Sequence, residues 1–352
     1  MRKNRTVIAN PAFSATFHIT DRCVRQDFLL GNGKTARKTE KSRRHVILKR
    51  LKTLASAYAI DILRFALMDN HMHLELRNRP DLVEQMSDLE VARRTLIIFP
   101  GYCQANADAK RKRMPKPTAE DIQKLAEDKK RIREMRINLS SVSSFMKSLK
   151  FYTSRYFNLV DGKRGAFWES RYNIKVLLDD LSILLCALYI DLNPIRAGMA
   201  LTPETSMFTS AFYQILAARL LAKSPAAKRA RLPDSLLPPV KISPHEADRM
   251  KSSLATRASD FGFTDMTSQE YLILLDLMGR IVTKKHSKAI PSDLPPIFER
   301  LKLSWDNFVH LVDAYETLFC CYVGTKESLD NKARELNGRK IRCPAVDLGL
   351  LT

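Results

Sequence analysis

His71 and His73 stand two residues apart in Phe65-Ala66-Leu67-Met68-Asp69-Asn70-His71-Met72-His73-Leu74-Glu75-Leu76, alternating with Met72 and Leu74. Period-2 alternation is the pattern of a strand with one buried face, so both imidazoles point the same way. Same-face neighbours on a strand lie about 6–7 Å apart, close enough for both rings to lean onto one ion at about 2.0–2.1 Å each. Glu75 falls on that face and can join or orient such a site. An isolated His-x-His is also found as a pair of ordinary structural histidines; it gains specificity only with a third ligand and a nucleophile elsewhere.

Those partners are offered by Asp180-Leu181-Ser182-Ile183-Leu184-Leu185-Cys186-Ala187-Leu188-Tyr189-Ile190-Asp191-Leu192-Asn193-Pro194. Leu181, Leu184, Leu185, Leu188 and Leu192 recur at helical spacing as a core stripe, and Ser182, Cys186, Tyr189 and Asn193 line a neighbouring, more polar one. Tyr189 and Asn193 are one turn apart on one face. Asp179 or Asp180 can cap the start, and Pro194 disfavours helical geometry at Asn193, which puts the pair at the C-terminal end. Taken alone, such a segment is more often a half-buried Tyr followed by a C-terminal Asn.

Together the two segments resemble the HUH single-tyrosine transposases, specifically the REP-associated tyrosine transposase-like family. Met68-Asp69-Asn70-His71-Met72-His73 and Tyr189-Ile190-Asp191-Leu192-Asn193-Pro194-Ile195-Arg196-Ala197-Gly198 carry the resemblance. Phe145-Met146-Lys147-Ser148-Leu149-Lys150, running on to Phe157-Asn158, and Gly165-Ala166-Phe167-Trp168-Glu169-Ser170-Arg171-Tyr172 match as well. The four blocks stand in the family's order and cover roughly residues 10–215. Asp69 departs from the family, which usually places Pro there, as do a long insertion at 104–136 and a large C-terminal extension.

The resemblance implies transesterification on single-stranded DNA. His71 and His73 with Asn193 would hold Mg²⁺ or Mn²⁺, and Tyr189 would attack the phosphorus to leave a 5′-phosphotyrosine and a free 3′-OH. A free tyrosine, with a pKa of about 10, is mostly protonated at neutral pH, so the metal and the cations Arg171 and Arg196 are expected to help. The adduct keeps the phosphodiester energy, and rejoining needs no ATP; no phosphate-binding Gly loop is present. One Tyr per chain forms one adduct at a time, which favours a homodimer or a processive two-step reaction. In related transposases the target is a hairpin with a short guide sequence beside it. Two other readings share these residues: a domesticated DNA-binding protein that cleaves nothing, and a metal-dependent nuclease using water.

The elements that must position these residues follow from the rest of the chain. Its 352 residues exceed the usual single domain, and 45% apolar content can build real cores. Residues 12–20 read as a first strand, on which His18 could lie near the site but is taken as a satisfied structural residue. From Lys34 to Arg50 eight Lys/Arg face only Glu40, on a helix expected to run to about Tyr58; it is read as a solvated face or a phosphate-contacting one. Residues 60–67 and 71–77 read as strands joined by a hairpin-like turn. Strand, helix, strand, strand is the opening half of a ferredoxin-like α+β unit. Residues 82–98 look helical.

Within 104–136, Lys110 to Arg136 carries eleven Lys/Arg against five Asp/Glu, a helical insertion either solvated or against DNA backbone. Ser140 or Ser141 caps the next helix, whose Val142, Phe145, Leu149, Tyr152 and Tyr156 are read as core, which leaves Tyr152 and Tyr156 as decoys for the nucleophile. Lys163, Arg164 and Arg171 interleaved with Trp168 suit a surface that stacks unpaired bases and holds phosphates, the alternative being a Trp packed on the sheet. Residues 174–178 read as the last strand, aimed into the Tyr189 helix. Residues 1–221 are thus expected to form a ferredoxin-like catalytic domain, 222–243 a linker, and 244–352 a mainly helical accessory domain with helices near 244–258, 267–283, 305–323 and 326–337.

A net charge of +21 and a pI near 9.8 point to a polyanion, nucleic acid before anionic membrane. The six cysteines show no C-x-x-C spacing and read as reduced thiols, and no segment reads as a signal peptide or a membrane span. A cytoplasmic protein is expected.

Overall fold

The computed structural model describes residues 9–31, 42–100, 117–169, 171–223, 232–242, 256–283 and 322–335. Among them lie the strands β1 (Thr16–Arg22), β2 (Ile60–Leu67), β3 (His71–Asn78), β4 (Asn173–Leu177) and β5 (Tyr322–Val323). The helices are α1 (Arg43–Ala57), α2 (Pro80–Glu84), α3 (Asp88–Ile98), α4 (Ala119–Glu127), α5 (Lys129–Leu139), α6 (Val142–Asp161), α7 (Asp180–Arg196), α8 (Ser210–Lys223), α9 (Ser268–Thr283) and α10 (Lys326–Glu335). The strands form one sheet in the order β2-β3-β1-β4-β5, a mixed α+β architecture. β3 runs antiparallel to β1 and β2, β4 antiparallel to β1, and β5 parallel to β4.

Alternation along the strands gives the sheet two different faces. Phe17 and Ile19 of β1, Met72, Leu74 and Leu76 of β3, and Ile174 and Val176 of β4 form one, covered by α1 and α6 through Ile47, Leu51, Phe145 and Leu149. The opposite face carries the polar members of the same strands, His18 and Thr20, His71, His73 and Glu75, and Lys175, with Leu63, Ala66 and Leu177 packing on α7. At Ile62/Arg64 a bulge breaks the alternation, so that Arg64 pairs with Glu75 and joins the α7 side.

Both helix starts that matter are capped as their sequences suggest. Asp179 accepts from the Ser182 amide while Ser182 Oγ accepts from the Asp179 amide, a capping box at the head of α7. Ser141 caps α6. The stripe expected inside α6 is rotated. Phe145, Met146, Leu149, Thr153 and Phe157 are buried, whereas Tyr152 and Tyr156 are 38% and 41% exposed. Phe157 at i+8 from Leu149, not Tyr156 at i+7, faces the sheet, and Arg50 lies over the Tyr152 ring at 4.7 Å. α7 also differs from expectation. Ser182 and Cys186 are buried, since helices and loops cover α7 on several sides, and the helix continues past Pro194 to Arg196.

The cationic helix α1 spends several of its charges inside the protein. Arg43 pairs with Asp161 at 2.6 Å and Arg44 with Asp69 at 3.1 Å, while Arg50 is buried and donates to the Ile98 carbonyl. Residues 34–41 of that basic stretch and 104–116 of the insertion lie outside the described residues. The rest of the insertion is two helices, α4 and α5, divided by Asp128, which caps the second. Leu125, Ala126, Ile132 and Met135 bury its apolar side, and Asp88 at the head of α3 holds Lys129 and Arg136.

Beyond residue 231 the described chain returns to the same sheet. Asp61 of β2 accepts from the backbone amide and hydroxyl of Ser259 at 3.1 and 2.8 Å and from Arg77 at 2.8 Å, and Arg77 also donates to the carbonyls of Phe261 and Gly262. α9 places Tyr271, Leu274, Leu275 and Met278 in the core beside α7. Most of 244–258 and of 305–323 lies outside the described residues. At Tyr322–Val323 the chain is strand β5 rather than the end of a helix, because pairing with the open edge of β4 satisfies its backbone groups. No helix among the described residues is long and apolar enough to cross a membrane.

Candidate functional site

The antiparallel register of β1 and β3 sets Arg22 opposite His71, Thr20 opposite His73 and His18 opposite Glu75. All six belong to the face toward α7, at the end of the sheet where the turn Met68-Asp69-Asn70 reverses the chain. That turn is pinned from both sides: the Cys23 amide donates to the Asn70 carbonyl at 2.8 Å, and the Leu30 amide to the Asp69 carbonyl at 2.7 Å.

Of the four residues expected at the site, His71, His73 and Tyr189 form a chain of ring contacts, and Asn193 follows Tyr189 by one turn of α7. His71 and His73 contact edge to face with ring centroids 4.8 Å apart, and the Tyr189 ring stands 5.5 Å from His73. Asn193 is held by its own helix, its amide NH₂ donating to the Tyr189 carbonyl at 3.0 Å, which turns Oδ1 away from that carbonyl. Arg196, one turn further on, lies with its guanidinium carbon 5.7 Å from the Tyr189 ring centroid. The Nδ1 atoms of both histidines are tied down. His71 Nδ1 meets Asn70 Oδ1 at 2.6 Å; His73 Nδ1 meets His18 Nε2 at 3.0 Å and Thr20 Oγ1 at 3.3 Å. His73 Nε2 is buried with no hydrogen-bond partner.

His18, read as a structural residue that could lie near the site, is buried and lies beside it, stacked on His73 at 5.2 Å and facing the Tyr189 ring at 5.8 Å. The signal was in β1 itself: Phe17, Ile19 and Asp21 alternate with His18, Thr20 and Arg22. Only the pairing of β1 beside β3, however, shows that the two polar rows share a face. Lys175, opposite His18 on β4, was missed.

Burial first, and then repulsion of a second charge by the neighbouring His18, His71, Arg22 and Lys175 side chains, holds the His73 imidazole well below its usual pKa, so it is neutral at pH 7. Glu75 lies one pleat deeper, fully buried opposite Arg64. Burial drives its carboxyl well above the usual range, while Arg64, Arg77 and the Cys186 thiol pull the other way. It supports the floor of the site rather than presenting a charge at its mouth. α7 is anchored there by Asp191, which accepts from Tyr271 Oη at 2.8 Å and the Ala211 amide at 3.1 Å and pairs with Arg64 at 3.3 Å. Arg64 in turn lies over the rings of Phe263 and Tyr271 at 4.5 and 4.4 Å.

The expected DNA-facing set divides. Lys163, Arg164 and Arg171 are exposed, on the connection between α6 and β4. Trp168 is not a base-stacking surface. It is 3% exposed, donates from Nε1 to Thr153 Oγ1 at 2.9 Å and packs against Phe167. Its function is to anchor the connection. The loop bridges at Cys23 and Trp168, and Glu169 donates its amide to the Arg22 carbonyl at 2.8 Å, which ties the cationic loop to the end of β1 beside His71.

Among the described residues no group of three or more His, Cys, Asp or Glu side chains is arranged to hold a metal ion. The imidazoles of His71 and His73 are in ring contact, and Asn193 stands one turn beyond Tyr189 on α7.

No protein-family model matches the chain, and no curated protein matches it in sequence. Among solved structures it is similar to a REP-associated tyrosine transposase bound to a REP hairpin, with 14% identity and a TM-score of 0.31 over 59% of this chain and 81% of that one, a distant likeness.

Proposed function

We propose that this chain nicks and rejoins single-stranded DNA by transesterification through Tyr189. The observation that carries the reading is the meeting of His71 and His73 from a β-hairpin with Tyr189 from a helix far along the chain, His73 and Tyr189 being in ring contact at 5.5 Å. The strand order β2-β3-β1-β4, with α1 and α6 on one face, supports reading the sheet as a ferredoxin-like unit, and β5 and α7 as additions to it.

The residues present fit a divalent cation. Both Nδ1 atoms are engaged by neighbours, as in metal-binding histidines generally, and His73 is a neutral imidazole with a buried Nε2 lacking a partner. His71, His73 and Asn193 would hold Mg²⁺ or Mn²⁺, which when bound withdraws charge from the scissile phosphate.

The chain's own groups then act as follows. Arg22, Lys175 and Arg196 give the site a positive frame for a phosphate. Tyr189 Oη attacks phosphorus and its proton leaves to solvent. The P–O3′ bond breaks, the 3′ oxygen takes up a proton, and a 5′-phosphotyrosine remains. Attack by a second 3′-OH reverses these changes. Two ends processed together call for a second copy of the chain or two successive cycles.

The test is incubation of the full chain with labelled single-stranded hairpin DNA from its own gene flanks, with Mn²⁺ or Mg²⁺, on a denaturing gel. A metal-dependent covalent band that disappears in Tyr189→Phe is expected. Binding with neither adduct nor nick across the flanking sequences would replace this reading with a DNA-binding protein; nicks that survive in Tyr189→Phe would assign the attack to water.

A further inference from the structure

We infer that His18 is the positioning residue of His73: its ring fixes both the orientation of the His73 imidazole and the tautomer in which Nε2 carries the lone pair. The inference rests on the divalent-cation reading of the site. It deepens that reading by adding a residue outside the ligand set.

The geometry is specific. His18 is buried on the neighbouring strand, and its Nε2 lies 3.0 Å from His73 Nδ1. The two rings are near parallel, 14° apart, so the contact restrains His73 in rotation as well as in position. A hydrogen bond between two neutral imidazoles needs one donor and one acceptor. With His18 Nε2 as acceptor, the His73 proton sits on Nδ1 and its Nε2 presents a lone pair. Either arrangement buries one ring N–H, on His18 Nδ1 or on His73 Nε2, and only the first leaves His73 Nε2 able to ligate the cation. Thr20 Oγ1, at 3.3 Å from the same Nδ1, can also accept, but a rotating hydroxyl does not orient the ring as a stacked imidazole does. His71 needs no such neighbour, since Asn70 beside it in the turn engages its Nδ1 at 2.6 Å.

Two measurements on the full chain test this. In the metal-free protein, ¹⁵N-edited NMR of the imidazole nitrogens reports which atom of His73 is protonated; Nδ1 is expected in wild type. Manganese titration followed by electron paramagnetic resonance is then compared for wild type, His18→Phe and His18→Asn. His18→Phe should weaken Mn²⁺ binding about 10- to 100-fold, the usual effect of losing a ligand's orienting partner. His18→Asn, whose side-chain oxygen can still accept, should recover most of it. A wild type that binds no Mn²⁺ overturns the metal reading, and this inference with it. Equal Mn²⁺ affinity in wild type and His18→Phe overturns the inference alone. So does a His73 protonated on Nε2 in metal-free wild type, a result that needs no variant to fold.

Discussion

Asp21 shows how much a single buried carboxyl can depend on its surroundings. It points away from the histidine row toward α6, where Lys150 donates to it at 2.8 Å. Burial raises its pKa from 3.8 to about 6, and the ion pair with Lys150 only partly offsets that rise. Because the folded value lies above the unfolded one, the folded protein binds the extra proton between about pH 4 and pH 6. The stability Asp21 contributes is therefore complete below pH 4 and is lost as pH rises through 6. Asp21→Asn, which cannot ionise and can still accept from Lys150, should gain relative to wild type by roughly 2–3 kcal/mol between pH 4 and pH 7. Urea unfolding midpoints of both proteins at pH 4, 5, 6 and 7 check this; parallel curves would refute it. Cys23, two residues along, is pushed up to about 12 by burial and by Asp21, and is an inert packing thiol at the point where the α6–β4 loop meets β1.

At the scale of elements, the C-terminal part of the chain is held to the sheet by buried charge. Asp61 is fully buried and gathers Arg77, Arg79 and Ser259. Arg77 and Arg79 adjoin the ring of Phe261 at 4.5 and 5.5 Å. Removing the shared carboxylate would leave two buried guanidiniums undercompensated, a loss on the order of 3–5 kcal/mol. Asp61→Ala should show this in chemical denaturation, together with new proteolytic cleavage within 256–262. A variant with unchanged stability and an uncut segment would show that the apolar contacts of α9 suffice. The same logic places α7: Asp191, between Tyr189 and Asn193 in sequence, is tied to β2 by Arg64 and to α9 by Tyr271, so both neighbouring elements determine where the Tyr189 ring stands.

For the whole molecule, the excess of 59 Lys and Arg over 38 Asp and Glu is the dominant property. Many arginines are already paired or buried, among them Arg43, Arg44, Arg64, Arg77, Arg79 and Arg94, so the charge count overstates the contact surface. Lys163, Arg164 and Arg171 are exposed, on a loop fastened beside the candidate site. If they contact phosphates, replacing all three by Ala should lower the slope of log K against log salt for single-stranded DNA by about 2, at roughly 0.7 per contact. Fluorescence anisotropy titrations from 50 to 300 mM salt would read the slope. An unchanged slope would move the DNA to another face.

The sequence by itself determined the elements and the local orientation of the key side chains. Alternation in 71–76 put His71, His73 and Glu75 on one face, helical spacing put Tyr189 and Asn193 one turn apart, and the pairs Asp179/Asp180 and Ser140/Ser141 marked two helix starts to within a residue, because each depends only on neighbours within a few residues. The tertiary structure decided which faces meet. His18 entered the site through the pairing of β1 with β3, Arg64 reached the α7 side only because a bulge reset the alternation, and Trp168 turned inward because Thr153 offered a hydrogen-bond partner and Phe167 a ring contact that local sequence does not reveal. Strand order, bulges and burial arise from contacts between distant segments, which no local period encodes.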